Sequence, residues 1–124
     1  MNNILIIDDE KDFCIGLKQC LESLGIYKVS YRTEPERVEY SLEYEDADVI
    51  LVDLRMDDRS GEELILSLRG NDEKPVKRFI AVSGITAVET QIPINPPVPL
   101  LPKPVNISRL HELIQETLTQ PSVA

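Results

Sequence analysis

Histidine is nearly missing from this chain. His111 is the one imidazole, and the two cysteines, Cys14 and Cys20, do not form a CxxC pair. That composition excludes a zinc site, which draws on clustered Cys and His ligands. A disulfide between the two cysteines is excluded as well. Both fall on one expected helix, about 240° apart around its axis. They read as buried or half-buried free thiols, and His111 reads as a surface residue of the last helix. Positive charge is also scarce. Thirteen Lys and Arg stand against 22 Asp and Glu, for a net charge of -9. No basic stripe is present, so binding to nucleic acid is not expected. Long hydrophobic runs are absent too, since nothing approaches the roughly 18 apolar residues of a membrane span. The start of the chain, "MNNILIIDDE", lacks the basic flank and apolar core of a signal peptide. The expected setting is the cytoplasm, without membrane contact.

What the chain does have is a set of short apolar runs that end in polar groups. Ile4–Ile7 leads directly into Asp8, Asp9 and Glu10; Val49–Val52 leads into Asp53; Phe79–Val82 leads into Ser83. "VPLL" (98–101) leads into Lys103. Unbroken runs of this kind predict strands buried on both faces. A further short strand, "KVSY" (28–31), precedes the second acidic run.

Amphipathic stretches separate the strands. Lys11–Leu24 places Phe13, Leu17, Leu21 and Leu24 on one helical face, with Gly25 at the C-cap. "TEPE" (33–36) offers a capping box, Thr33 with Glu36, for a weak helix with Val38 and Leu42 inward. "SGEE" (60–63) offers a second box, opening a helix with Leu64, Ile65 and Leu68 inward and Gly70 at its end. From Asn106 a last helix turns Ile107, Leu110, Leu113, Ile114 and Leu118 inward. The alternation predicts an α/β domain with helices on both faces of a parallel sheet. Neither a repeat nor a linker divides it, so residues 1–119 are expected to be one domain and 120–124 a frayed tail.

Ligands of open parallel sheets sit beyond the carboxyl ends of the strands. Those ends carry Asp8, Asp9, Asp53, Ser83 and Lys103. Acids after a strand are commonly no more than the solvated mouth of a loop. Gathered on one edge, the same groups suit a hard divalent cation with oxygen ligands and a phosphoryl group met by a hydroxyl and an ammonium. A carboxylate can itself be the nucleophile, giving an aspartyl phosphate.

In the segments "IIDDE" (6–10), "LVDLRMDDRSG" (51–61), "AVSG" (81–84) and "LLPKPV" (100–105), the chain resembles the receiver domain of two-component response regulators over nearly its whole length. The resemblance implies a three-layer, flavodoxin-like, doubly wound sheet of five parallel strands in the order 2-1-3-4-5. It implies that Asp53 is the phosphoacceptor, with Ser83 and Lys103 completing the reactive set. Mg2+, with Mn2+ as an alternative, would be held by Asp8, Asp9, Asp53 and the backbone carbonyl of Arg55. The donor would be a phosphohistidine on a sensor histidine kinase or a histidine phosphotransfer protein, and the downstream protein target is unknown. The protein would then be a stand-alone signalling switch or phosphorelay intermediate with slow self-dephosphorylation, not a turnover enzyme. A different reading is a receiver-like binding module that works regardless of phosphorylation. A hydrolase lacks a separate acid or base here, and an FMN carrier lacks a Ser/Thr-rich loop after the first strand.

Three departures from the family pattern stand out. Asp57 replaces a usual Pro, which should loosen the loop after Asp53. Leu100, paired with Ser83 in the expected switch, replaces a usual Tyr or Phe. Six of the nine prolines fall between Pro93 and Pro104. Pro lacks an N–H and clashes with the preceding turn, so the helix expected between strands 4 and 5 should be shortened or replaced by a Pro-rich loop. At most a helical turn is expected at Ala87–Gln91.

Overall fold

Side by side at the centre of the molecule lie the two acidic-ended runs. In the computed structural model, which describes residues 1–56, 59–71, 78–84, 91–94 and 96–119, β1 (Asn2–Ile7) pairs in parallel with β3 (Val49–Asp53). β2 (Tyr27–Arg32) pairs with the other side of β1. β6 (Arg78–Ser83) follows β3, and β8 (Val98–Pro102) follows β6. These five parallel strands stand in the expected order, β2-β1-β3-β6-β8. Two short strands, β4 (Arg55–Met56) and β5 (Arg59–Ser60), make a separate antiparallel hairpin just after Asp53.

A sixth strand was not expected. β7 (Gln91–Ile92) pairs antiparallel with β8, Gln91 opposite Pro99 and Ile92 opposite Val98, and forms the sheet edge. The Pro-rich stretch is therefore a short β-hairpin arm. Proline cannot donate to a ladder, but it fits an edge, and Pro99 sits against a two-residue outer strand. The expected turn at Ala87–Gln91 lies mostly outside the described residues, as do Asp57 and the 120–124 tail.

Successive strand residues face opposite layers. Leu5, Ile7, Ile50, Val52, Phe79 and Ala81 pack on one side with Leu64, Ile65 and Leu68 of α3 (Gly61–Asn71). Ile4, Ile6, Val29, Val49, Leu51 and Ile80 pack on the other, against Cys14, Leu17 and Leu21 of α1 (Lys11–Glu22) and Leu110, Leu113 and Ile114 of α4 (Ile107–Thr119). The cap expected at Ser60 forms, and Asn106 caps the last helix as well. The Glu63 N–H points to Ser60 Oγ at 3.4 Å, and the Arg109 N–H donates to Asn106 Oδ1 at 3.0 Å. Gly25 takes φ +79°, a left-handed conformation that glycine adopts without steric cost.

Several expectations give way. The capping box at Thr33 is not used. Arg37 adopts φ 60°, which breaks the helix before it starts and leaves a 3-10 turn at Val38–Tyr40. The true cap is Ser41, whose Oγ accepts from the Tyr44 N–H at 3.2 Å and opens the five-residue α2 (Leu42–Asp46). This later start rotates Leu42 to solvent, and Tyr44 takes the inner position. Leu24 lies beyond the last turn of α1 and is 43% exposed rather than inward. Cys14 is buried, whereas Cys20 is exposed. His111 is half-buried rather than a surface residue. Its Nδ1 is 2.8 Å from Tyr27 Oη, which also accepts from Gln115 Nε2 at 2.7 Å. Tyr27 Oη thus bonds both His111 and Gln115, and this chain of bonds ties α4 to β2.

Candidate functional site

The polar groups that end the strands meet at one edge. β1 ends at Ile7, so Asp8 is its first residue out, 1% exposed, with its N–H donating to Arg32 O at 3.1 Å. Its Oδ1 accepts the Glu10 N–H at 2.9 Å, turning the chain into α1. Asp53 is the last residue of β3 and 4% exposed; its Oδ1 lies 3.2 Å from the Arg55 nitrogen, which donates to it. Ser83 ends β6 and is also 4% exposed. The Lys103 N–H donates to Ser83 O at 2.7 Å, which carries the register of β6 and β8 through to the lysine.

The Lys103 ammonium sits among the acids. Its Nζ is 2.9 Å from Asp8 Oδ2, 3.7 Å from Asp53 Oδ2 and 3.7 Å from Glu10 Oε1. The closest partner is therefore Asp8 rather than Asp53. Nζ also lies over the Phe13 ring, 4.2 Å from its centroid.

Burial dominates the electrostatics. Desolvation pushes the Asp53 carboxyl up to about 6, with the Asp8 charge adding to the rise; the Arg55 N–H and Lys103 act against it. Asp8 is raised by burial too, a rise that the Glu10 N–H and Lys103 oppose. Burial alone would lower Lys103, but the contact with Asp8 and the charges of Asp8, Asp53 and Glu10 outweigh it and raise it. Cys14 donates its thiol to Asp8 O at 3.4 Å, and burial pushes that thiol up to about 12, so it is inert at neutral pH.

Asp8, Asp9 and Glu10 bring one carboxylate oxygen each within 4.8 Å of one another. All are hard oxygen donors, and the Lys103 ammonium reaches Asp8 and Glu10 of this group as well as Asp53. The donor set fits a divalent cation such as Mg2+. Sequence reasoning placed Asp8, Asp9, Asp53, Ser83 and Lys103 on this edge, and the structure brings them there. Arg55 stands two residues past Asp53 at the start of the small hairpin. Leu100 is half-buried on β8 opposite Ala81 and packs against the core on the α3 side.

Three contributors were missed. Glu10 was visible as the third acid of "IIDDE" yet was left out of the site. Phe13 was read only as packing. Gly61 was read only as part of a motif. A Cβ there would fall against the Asp53 carbonyl oxygen and within 2.8 Å of Leu54 Cα. The hairpin therefore folds back onto the backbone of Asp53, and the Gly61 N–H donates to Leu54 O at 3.0 Å.

Compared with known proteins, residues 4–115 match the model of the response regulator receiver domain. The chain belongs to that family. Among solved structures, the receiver domain (CheY-like) from Methanospirillum hungatei JF-1 is 28% identical with a TM-score of 0.77, covering 95% of this chain and 94% of that one. A response regulator receiver protein from Pseudomonas putida is also 28% identical, with a TM-score of 0.75 over 93% of this chain and 96% of its own. A CheY-like receiver domain from Methylobacillus flagellatus, 24% identical, superposes with a TM-score of 0.79 over 94% of this chain and 98% of its own, which shows the shared fold. Comparison with curated proteins gave no match. As a receiver domain, the protein is a component of two-component signalling. Among its described residues no helix is long and apolar enough to cross a membrane.

Proposed function

We propose that Asp53 accepts a phosphoryl group from a phosphohistidine donor, on a sensor histidine kinase or a histidine phosphotransfer protein, in a Mg2+-dependent reaction in the cytoplasm. The observation that carries this reading is the setting of Asp53: a nearly buried carboxylate with an ammonium 3.7 Å away and a pKa of about 6, so that it is ionised at neutral pH. A carboxylate oxygen attacks phosphorus as the P–N bond to the donor imidazole breaks, and the imidazole leaves with the electron pair and takes up a proton. Lys103 moves from Asp8 toward the transferred group and meets its charge. Ser83 donates its hydroxyl to a phosphoryl oxygen. Asp8, Asp9, Asp53 and the Arg55 carbonyl, with Glu10 at the rim, would hold Mg2+, which supplies further neutralisation of charge on the phosphoryl oxygens.

The product is a switch or a phosphorelay intermediate rather than a turnover enzyme. Ser83 is its moving part, and Leu100 stands where an aromatic ring would report that movement. Leu100 has no hydroxyl and fits core packing, so output runs through another surface. The β7–β8 hairpin favours the second reading, a binding module indifferent to phosphorylation, because it gives that side of the sheet its own contact surface.

Intact mass decides between them. The protein is mixed with Mg2+ and acetyl phosphate beside an Asp53→Ala variant. The expected result is a gain of one phosphoryl group, about 80 Da, absent from the variant and absent without Mg2+. No gain on well-folded protein rejects the phosphoacceptor reading in favour of the binding module.

A further inference from the structure

Lys103 has a fixed base and a free end. Its backbone is pinned by the bond to Ser83 O, while four methylenes carry the ammonium to three carboxylates at 2.9, 3.7 and 3.7 Å. Carboxylates on their own offer such a chain several resting positions. The ammonium nonetheless takes one that puts it over the Phe13 ring, 4.2 Å from the centroid. A cation over a ring face is held by the ring's quadrupole, more strongly where water is excluded. The Lys103 side chain is only 15% exposed. Phe13 comes from the first turn of α1 and is half-buried against the core on that side. Packing alone is served equally well by a leucine, whereas the contact with Lys103 needs an aromatic face.

We infer that Phe13 is a positioning residue: its ring fixes the Lys103 ammonium on Asp8, and so sets how readily that carboxylate passes to a divalent cation. Phe13 has no group that could ligate a cation or donate to a phosphoryl oxygen, so it acts through Lys103. The ammonium and the cation draw on the same carboxylate. By linkage, whatever holds one there opposes the other. The part concerning the cation rests on the phosphoacceptor reading; the part concerning Lys103 does not.

The test uses the full, unphosphorylated chain with Phe13→Leu and Phe13→Tyr. In NMR spectra the Lys103 ε-methylene protons are expected upfield, shifted by the ring, in the parent and in Phe13→Tyr, and near their free position in Phe13→Leu. Titration with Mg2+, followed through the Asp9 amide signal, is expected to show affinity tighter by about two- to five-fold in Phe13→Leu and unchanged in Phe13→Tyr. In a Lys103→Ala background, Phe13→Leu is expected to add nothing. Identical Lys103 signals in parent and Phe13→Leu overturn the inference. So does an affinity change that survives in the Lys103→Ala background, since it assigns Phe13 to packing. If Mg2+ binds no variant, the cation half falls together with the phosphoacceptor reading, while the Lys103 signals still decide whether Phe13 positions the lysine.

Discussion

Asp53 keeps its charge at neutral pH against the pull of burial. Its carboxyl is raised to about 6 in the folded chain, above the ordinary 3.8. The folded protein therefore holds a proton there that the unfolded chain has already released between about pH 4 and 6. The stabilising contribution is complete below the unfolded pKa and is lost as pH rises through about 6. Asp8 is raised too and acts in the same direction. With Mg2+ removed by EDTA, going from pH 7 to pH 5 should raise the urea midpoint, and Asp53→Asn should shrink that rise. At pH 7 the same variant should be more stable than the parent, by on the order of 1–3 kcal/mol. A midpoint that drops on acidification to pH 5 would contradict the assignment. Gly61 allows a second test. Its Cβ has no room beside the Asp53 and Leu54 backbone, so Gly61→Ala must push the hairpin away from Asp53. The expected outcome is a loss of about 1–3 kcal/mol in stability and a larger loss in phosphoryl acceptance, read by intact mass. At this scale the acids, hydroxyl and lysine were legible in the sequence because each stands at or just past the end of an apolar run. Which carboxylate Lys103 rests on was not, because 2.9 Å against 3.7 Å is decided by where a flexible side chain lies.

Elements were legible where their periodicity was strong. α4 shows its inner face as Leu110, Leu113 and Ile114, and all three are buried. The region before α2 was misread because its capping box is genuine in composition, yet Arg37 turns left-handed and passes the cap to Ser41. The local pattern favours Thr33, since Ser41 has Tyr44 rather than an acid three residues on. The prolines of 93–104 correctly ruled out a helix among the described residues there, but a two-residue strand has too little alternation to be seen. That strand is held from outside the sheet. Arg69 on α3 reaches over the Phe79 ring, 5.8 Å from its centroid, and its Nη1 donates to Pro96 O at 2.6 Å. Arg69→Ala should release the hairpin, costing about 1 kcal/mol locally. Hydrogen exchange should quicken at the Ile94 amide, which bonds Ile92 O, while amides of β6 keep their protection. Equal acceleration in both would mean that Arg69 supports the whole sheet rather than the arm.

Among the described residues the molecule has five parallel strands and two small hairpins, and its central pairings join distant parts of the chain. Asn3 of β1 bonds Asp48, the residue just before β3, and the two are 45 positions apart. Hairpins β4–β5 and β7–β8 are local, but each has only two paired positions. Local pairs close quickly, yet so short a ladder buries too little to direct the longer-range pairings. Closing β1 on β3 is then the step expected to set the time the chain takes to fold, with the edge arm added afterwards. Val52→Ala in β3 should slow refolding by several-fold. Ile92→Val in β7 should leave the refolding rate nearly unchanged and act on unfolding instead, as stopped-flow chevrons would show. A late-arriving β7 also means that this edge opens without loss of the strands bearing Asp8 and Asp53. The half of the sheet that carries the acidic edge and the margin that carries the new strand should therefore lose and regain order on separate clocks.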